Sequence, residues 1–287
     1  MLHLTKLLKM KAKLLLTGAS GFIGSQIYKA LKEDFDVTAI SSSSLREEYT
    51  TLNLLNENDC KNFFKNKKFD FIIHVAAIAH GKNKNGTMKV GEANIVMTKN
   101  IFNSLDVKNT KVIFLSSVSV YSFKNNKEII SVNDQPLPVT EYGKSKLICE
   151  NLLKEKKPVS LHILRLTPVY TENNLKDLGK RVFLPVLKFP FITKQARIYS
   201  LCHVDGVVNE VINSMNTDHD SLKIVKDPED HTQEELLSFF KIEKPQIIIN
   251  QNIVKPLFFI LRLIPVSKSN IIKDMFTKLF YSAVYIN

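Results

Sequence analysis

The most informative stretch of the chain is Leu14-Leu15-Leu16-Thr17-Gly18-Ala19-Ser20-Gly21-Phe22-Ile23-Gly24. Three of the chain's nine glycines fall between positions 18 and 24. The apolar residues before them are typical of a buried parallel strand, and residues 22–33 after them have helical spacing. Glycines at such a turn let the backbone approach a pyrophosphate, and the following helix offers its free N–H groups to the anion. The stretch therefore predicts a dinucleotide cradle.

Beyond this unit, apolar strands alternate with helical segments, which predicts an α/β fold with a doubly wound parallel sheet. Further strands are expected at 36–40, 70–75, 111–115, 160–166, 223–225 and 246–250. Further helices are expected at 56–67, 93–105, 141–156 after a Thr140 cap, 205–215, and up to 241 from a capping box at Thr232 to Glu235.

The strand–helix rhythm changes after position 167, where prolines and irregular apolar residues begin. We therefore expect a flexible leader at 1–9 and a dinucleotide-binding domain at 10–167. A strand and helix around 201–225 return to that domain. A smaller C-terminal substrate lobe is expected from 168–200 and 226–287.

The net charge of +12 raises the question of an anionic macromolecular partner. Only five of the 40 basic residues are arginines, the side chain that contacts bases and phosphates bidentately, and the lysines are scattered. We therefore expect no nucleic-acid partner. The three cysteines lack metal or redox spacing, which predicts a cytoplasmic protein without a metal site.

No apolar run is long enough to span a bilayer. The segment from Ile253 to Ile264 is apolar but interrupted by Pro256. Its helices are expected to pack over the substrate lobe, and contact with a membrane surface is the alternative.

Ser117, Tyr142 and Lys146 are the residues best suited to chemistry. Tyr142 and Lys146 are one helical turn apart near the start of a predicted helix, so they share a face. A phenol normally titrates near pH ~10, and we expect the neighbouring ammonium to lower its pKa for acid–base work. Ser117 ends a predicted strand, where α/β sheets bind ligands. Taken alone, the Tyr–Lys spacing also fits an ordinary solvated helix face.

Four motifs in order resemble the extended short-chain dehydrogenase/reductases, the NAD-dependent epimerase/dehydratase group. They are residues 17–24, His74-Val75-Ala76-Ala77, Ser116-Ser117-Val118-Ser119-Val120-Tyr121 and Tyr142-Gly143-Lys144-Ser145-Lys146. Residues 165–170 and 203–205 resemble two later segments of the group. The likeness is strongest to bacterial nucleotide-sugar 4-epimerases and 4-keto reductases, and it implies a Rossmann fold.

The resemblance also implies roles for individual residues. Tyr142 would be the acid/base, Lys146 would hold the nicotinamide ribose, and Ser117 would polarise the reacting C–O group. Substrate would be bound by Ser117, Ser119 and Arg197. The dinucleotide would be bound by Tyr142, Lys146, Gly18, Gly21, Phe22, Ile23, Gly24, Ser41, Arg46, Asn53, Leu54, Ala76 and Ala77.

The end of the second strand departs from the pattern for NAD. A carboxylate there binds the ribose 2′-OH and repels a 2′-phosphate. This chain has four serines, Ser41 to Ser44, then Leu45 and Arg46, with no acid before Glu47. Hydroxyls and Arg46 favour NADP(H). NAD(H), with Arg46 as a solvated loop cation, is the alternative.

A second departure concerns dehydration. The 4,6-dehydratases of the group carry an Asp-Glu pair where this chain has Val118 and Ser119, which argues against that chemistry. We therefore expect an NAD(P)-dependent oxidoreductase acting on a nucleotide-diphosphate sugar, by 4-keto reduction or C4 epimerisation, in surface-polysaccharide synthesis.

Two further expectations accompany this function. The alternative to an enzyme is a non-catalytic dinucleotide sensor or RNA-binding protein on the same fold. A homodimer through helices 93–105 and 141–156 is implied by the resemblance alone. Among the histidines, His74 is expected to be a hydrogen-bonded packing residue, and His80 and His203 receive no assignment.

Overall fold

The computed structural model describes residues 11–43, 46–78, 88–121, 129–184, 187–250, 252 and 282–287. The predicted leader at 1–9, Ser44, His80 and the predicted C-terminal helices at 253–264 lie outside these residues.

The described strands, in chain order, are β1 (Lys13–Thr17), β2 (Asp36–Ser41), β3 (Thr50–Thr51), β4 (Phe71–His74), β5 (Lys111–Ser117), β6 (Ile129–Ser131), β7 (Ser160–Leu166), β8 (Val169–Tyr170), β9 (Phe191–Thr193), β10 (Ile198–Tyr199), β11 (Cys202–His203), β12 (Ser221–Val225), β13 (His231–Thr232), β14 (Ile247–Ile249) and β15 (Val284–Ile286). The helices are α1 (Phe22–Leu31), α2 (Glu57–Phe64), α3 (Val90–Ser104), α4 (Glu141–Lys156), α5 (Lys176–Val182), α6 (Val204–Met215) and α7 (Gln233–Phe239), with a 3₁₀ turn at Val118–Val120.

Among the described residues, seven strands form one sheet in the order β12-β7-β5-β4-β1-β2-β3. β1 pairs in parallel with β2 on one side and with β4 on the other, and Leu15 lies opposite both Thr38 and Ile72. The first strand, β1, thus lies inside the sheet, with β2 and β3 on one side and the other four strands on the opposite side. This is a doubly wound order. The predicted α/β fold is confirmed.

The sequence signals for helix ends are confirmed where they are local. Thr140 Oγ1 accepts the Gly143 N–H at 3.0 Å at the start of α4. Thr232 and Glu235 form the predicted capping box at the start of α7. α2 begins after Asn56, whose side chain caps it, and ends at Phe64 rather than at 67.

The described residues pack as two compact units, whose bounds along the chain are as follows. The first comprises Met1–Leu115, Cys149–Ile163 and Val211–Ser221, and the second comprises Ser116–Ile148, Leu164–Glu210 and Leu222–Asn287. These boundaries differ from the predicted domains, because residues 116–148 belong to the second unit and not with the rest of 10–167. The predicted domains are defined by the ligand each would bind, and they remain a prediction.

The core of the first unit surrounds a buried histidine. His74 Nδ1 lies 2.8 Å from Thr17 Oγ1, and its Nε2 lies 2.9 Å from Thr98 Oγ1. Its ring stacks on Phe114 with 5.5 Å between ring centres. Both ring nitrogens are satisfied inside the core, as expected for a packing residue.

The core of the second unit includes the last residues of the chain. β15 pairs in parallel with β6, and Tyr285 is buried in that core. Ser200 Oγ accepts the Tyr285 N–H at 2.9 Å, and the Asn287 side chain exchanges two hydrogen bonds with the backbone of Ile224. The end of the chain therefore joins segments that are distant in sequence.

A second buried histidine makes stability depend on pH. His162 lies in β7 with Nδ1 2.8 Å from Ser221 Oγ, and burial lowers its pKa. The folded protein thus holds it neutral, whereas the unfolded chain takes up a proton as the pH falls below ~6.5.

We expect the free energy of unfolding to fall from pH 7 to pH 5, and to fall less in His162→Gln. Urea titrations at each pH measure this; equal pH dependence in the two proteins would contradict it.

Candidate active site

The turn between β1 and α1 brings backbone atoms unusually close together. Gly18 has φ +72°, and a Cβ there would lie 2.8 Å from the backbone N and Cα of Ala76. A Cβ at Gly24 would lie 2.1 Å from the Gly18 carbonyl oxygen. The Gly21 N–H donates to the same oxygen at 3.0 Å. Side chains cannot occupy positions 18 and 24 in this turn.

This turn ends in an open helix N-terminus. Gly21 is the N-cap of α1, no side chain of the described residues caps the helix, and its first turn holds no acidic residue. The first-turn N–H groups, which belong to Phe22, Ile23 and Gly24, have no intrahelical acceptor. The cradle that a Cβ would fill and the positive end of the helix dipole suit a pyrophosphate.

The end of β2 lies beside this turn. The Ala19 N–H donates to Ile40 O at 3.0 Å, and Ser41 Oγ lies 2.7 Å from Ser20 Oγ. The structure therefore brings Ser41 to the glycine turn. Arg46 is exposed, and its described partners are the Glu48 carboxylate at 3.4 Å and the Tyr49 ring.

The other predicted cofactor residues of the first unit are Ala76, Ala77, Asn53 and Leu54. Ala76 contacts Gly18, and its N–H donates to Thr17 Oγ1 at 3.2 Å, while Ala77 is exposed. Asn53 is exposed and accepts the Leu55 N–H. The Leu54 side chain packs in the core, so its buried surface is already used by the fold.

The second unit carries the three residues predicted to do chemistry. Ser117 ends β5 and caps the 3₁₀ turn, because its Oγ accepts the Ser119 N–H at 3.1 Å. The same Oγ donates to Ser119 Oγ at 3.1 Å. Ser117 and Ser119 are therefore hydrogen-bonded to each other.

Tyr142 and Lys146 lie on the first two turns of α4. Lys146 is 3% exposed, and its Nζ is 5.8 Å from the centre of the Tyr142 ring. Lys146 is buried and Tyr142 is half-buried, so the alternative of an ordinary solvated helix face is wrong. The geometry puts a cation against the phenol ring.

The expected effect of Lys146 on Tyr142 is not observed. Burial raises the pKa of Tyr142 to about 12, and the nearby Asp177 carboxylate on α5 makes a smaller contribution in the same direction. The desolvation cost of a phenolate therefore exceeds any stabilisation by the lysine. Asp177 had no signal in the sequence, because its proximity to Tyr142 depends on the packing of α5.

Arg197 is buried rather than exposed, at 4%. It precedes Tyr199, a fully buried residue whose ring centre lies 5.5 Å from the Arg181 guanidinium. Two buried arginines thus lie near one phenol. Arg181 belongs to the 176–200 stretch whose basic residues are candidates for binding a diphosphate, but its burial had no signal in the sequence.

Two general properties bear on the chemistry. Within the described ranges, no group of three or more His, Cys, Asp or Glu side chains could hold a metal ion. None of the helices in the described part of the chain combines the length and apolarity needed to cross a bilayer.

Comparison with known proteins points to one family. Residues 14–188 match the model of the NAD dependent epimerase/dehydratase family. GDP-6-deoxy-D-talose 4-dehydrogenase of Aggregatibacter actinomycetemcomitans is 28% identical over 200 residues, 68% of this chain and 64% of that protein. An Escherichia coli O157:H7 protein, N-acetyl-alpha-D-glucosaminyl-diphospho-ditrans,octacis-undecaprenol 4-epimerase, is 30% identical over 173 residues, 58% of this chain and 51% of that protein. The chain thus spans about half to two thirds of these relatives.

Solved structures share the fold at lower identity. The dTDP-4-dehydrorhamnose reductase of Bacillus anthracis in complex with NADP has a TM-score of 0.64 at 18% identity, with 84% of each chain covered. UDP-glucuronic acid 4-epimerase of Bacillus cereus in complex with NAD has a TM-score of 0.63 at 20% identity, covering 83% of this chain and 87% of that chain. The Rossmann architecture is therefore confirmed.

The glycine turn generates the first prediction about binding. In Gly24→Ala the new methyl group collides with the Gly18 carbonyl, so the turn must open and lose the cradle. We expect NADPH and NADH to bind at least about tenfold more weakly, equivalent to ~1.4 kcal/mol. Isothermal titration calorimetry measures this, with neighbouring Ser25→Ala as the control. Unchanged affinity in a folded Gly24→Ala protein would exclude the turn as the binding site.

Proposed function

The chain belongs to the NAD-dependent epimerase/dehydratase family, and we propose that it reduces the 4-keto group of a nucleotide-diphosphate sugar with NADP(H). The observation that carries this proposal is the geometry of the Tyr142 phenol, whose ring centre lies 5.8 Å from the Nζ of a buried lysine, Lys146, one helical turn away. The names of the relatives support the substrate class, since they include a nucleotide-sugar dehydrogenase and several 4-epimerases.

The first unit would hold the pyrophosphate and one ribose of the dinucleotide. The N–H groups at the start of α1 would bind the pyrophosphate, the glycines would admit it, and Ala76 would line the ribose beside Gly18. Lys146, which belongs to the second unit, would hold the nicotinamide ribose. When bound, the dinucleotide supplies a hydride.

The second unit would supply the proton. At neutral pH the raised pKa keeps the proton on Tyr142 Oη, which is the form that donates to a ketone oxygen during reduction. The Ser117 hydroxyl would turn from Ser119 Oγ to donate a hydrogen bond to the same oxygen. The Lys146 cation would then stabilise the phenolate left by proton transfer. Oxidation needs the phenolate at the start, so burial of Tyr142 supports reduction.

Arg197, with Arg181, is our candidate for binding the sugar nucleotide's diphosphate, because buried guanidinium groups suit phosphate oxygens. Ser119 would contact the sugar.

C4 epimerisation is the second candidate, supported by the 30% identity with the Escherichia coli 4-epimerase. Epimerisation leaves the cofactor unchanged over a complete cycle, whereas reduction consumes one NADPH for each sugar. Measuring NADPH consumption together with the configuration at C4 therefore separates the two reactions.

Ser41 and Arg46 support NADP(H) over NAD(H). The end of β2 carries the buried Ser41 hydroxyl, bonded to Ser20 and Ser43, rather than a carboxylate, and a hydroxyl does not repel a 2′-phosphate. The Arg46 guanidinium lies 3.4 Å from the Glu48 carboxylate, which partly offsets its positive charge.

The Arg46–Glu48 ion pair predicts that substitutions at its two members change NADPH affinity in opposite directions. Arg46→Ala should weaken NADPH binding, and Glu48→Gln should strengthen it by releasing Arg46. Exposed ion pairs are worth about 0.2–1 kcal/mol, so each substitution should change the NADPH affinity by a factor of about 1.4 to 5. NADH lacks the 2′-phosphate, so its affinity serves as the internal control in the same titrations. Equal effects on NADPH and NADH would refute the assignment.

Tyr142→Phe tests the proposed acid. Turnover should fall about 10²–10⁴-fold, while dinucleotide affinity stays within about threefold. Tyr28→Phe, a ring-preserving change in α1, should leave both unchanged. A non-catalytic dinucleotide sensor would be indifferent to the loss of the hydroxyl.

The pH profile of the wild-type protein makes the same test without a mutation. An acid with a pKa near 12 stays protonated, so the rate of reduction should be flat from pH 6 to pH 9 and fall only at higher pH. A profile that already falls between pH 7 and pH 8 would show a lowered pKa instead.

A further inference from the structure

We propose that Gly143 is a positioning residue, whose missing side chain lets the Ser119 carbonyl rest on α4 and so sets the separation between Tyr142 and Ser117. The catalytic consequence rests on the proposed function. The geometric part stands on contacts within the second unit.

The contact at Gly143 is between backbones. A Cβ at this position would lie 2.1 Å from the Ser119 carbonyl oxygen, 2.9 Å from its carbonyl carbon and 3.1 Å from Pro138 Cβ. Neither partner is a flexible side-chain end. To accept a methyl group, the 3₁₀ turn and the helix must separate by about 1 Å, because non-bonded carbon and oxygen atoms need more than 3 Å.

Each side of this contact is tied to a reactive group. Ser119 donates its N–H to Ser117 Oγ at 3.1 Å, and Ser119 Oγ accepts from Ser117 Oγ at 3.1 Å. On the helix side, Tyr142 directly precedes Gly143. Thr140 holds that turn by accepting the N–H groups of Gly143 at 3.0 Å and Lys144 at 2.9 Å. A shift at Gly143 therefore changes the distance between the phenol and the hydroxyl.

Another helix glycine in the second unit behaves differently. A Cβ at Gly179 in α5 would have the Phe183 ring as its nearest neighbour, at 3.4 Å. This is ordinary van der Waals contact. Gly179 is therefore a matched control for adding one methyl group to a helix of the same unit.

The separation matters because two donors must reach one oxygen. Tyr142 Oη and Ser117 Oγ can both serve a carbonyl oxygen only if they lie within hydrogen-bond reach of it. A displacement of about 1 Å in such a site can cost about 10²-fold in rate. Dinucleotide binding by the glycine turn does not use this contact.

The kinetic test compares Gly143→Ala with Gly179→Ala. We expect kcat of Gly143→Ala to fall about 10- to 100-fold, with KM and the NADPH Kd within about threefold of the wild type. Gly179→Ala should match the wild type in all three. An unchanged kcat in Gly143→Ala, or an equal loss in both variants, would overturn the proposal.

A crystal structure of Gly143→Ala gives a readout that does not depend on turnover. The distance from Tyr142 Oη to Ser117 Oγ should exceed that in wild-type crystals by at least about 0.5 Å, since the methyl group needs ~1 Å of added space. An unchanged distance would overturn the proposal. If the distance lengthens but the wild-type protein reduces no sugar nucleotide, the proposed function fails and the positioning role stands.

A second pair of variants covers the case in which Gly143→Ala does not fold. Ser119→Ala and Ser119→Gly both remove the hydroxyl, but only glycine loosens the backbone that rests on Gly143. We expect Ser119→Gly to lose at least about fivefold more kcat than Ser119→Ala, within the effect of a 1 Å displacement. Equal losses would overturn the proposal.

Discussion

Two close approaches of backbone to backbone organise the parts of this protein that matter for function. In the first unit, the Gly18 carbonyl lies where a side chain at position 24 would begin, and in the second unit the Ser119 carbonyl lies where one at position 143 would begin. Each contact pulls a helix N-terminus onto the end of a strand or the turn that follows it. The first creates an anion cradle, and the second brings the helix that carries Tyr142 against the turn that carries Ser117 and Ser119.

The same tight packing determines which form of the phenol exists. Lys146 lies 5.8 Å from the ring centre of Tyr142, and an ammonium at that distance favours a phenolate. Burial opposes it, and Asp177 adds a negative charge nearby, so the pKa is raised to about 12. The balance leaves a proton donor beside a buried cation. Such a centre can donate a proton and stabilise the negative charge left on the phenolate, as the ketone reduction that we propose would require.

Local signals predicted the elements whose stabilising contacts are local. The capping box from Thr232 to Glu235 and the Thr140 cap depend on atoms within three residues, so their sequence is sufficient to identify them. The strand ladder around β1 was predicted because continuous apolar runs occur in parallel sheets covered on both faces. By contrast, the pairing of β15 with β6 joins residues 284–286 to 129–131, and neither segment carries a distinctive pattern.

The same distinction between local sequence signals and long-range packing applies to the candidate site. The order of four motifs identified Ser117, Tyr142, Lys146 and the glycines, because residue type and spacing persist in the linear chain. The burial of Arg197, the approach of Asp177 to Tyr142 and the sharing of Arg46 with Glu48 were not predictable from it. Burial and distance depend on how elements pack, and single residues do not encode that packing.

By itself, the sequence determined the doubly wound fold and the glycine turn, and it indicated the groups that we propose to transfer a proton. Only the tertiary structure decided the direction in which the pKa of Tyr142 moves and why position 143 must be glycine. The reason is physical: covalent order limits what each residue can do, whereas desolvation and steric contact arise between segments that meet only in the folded chain.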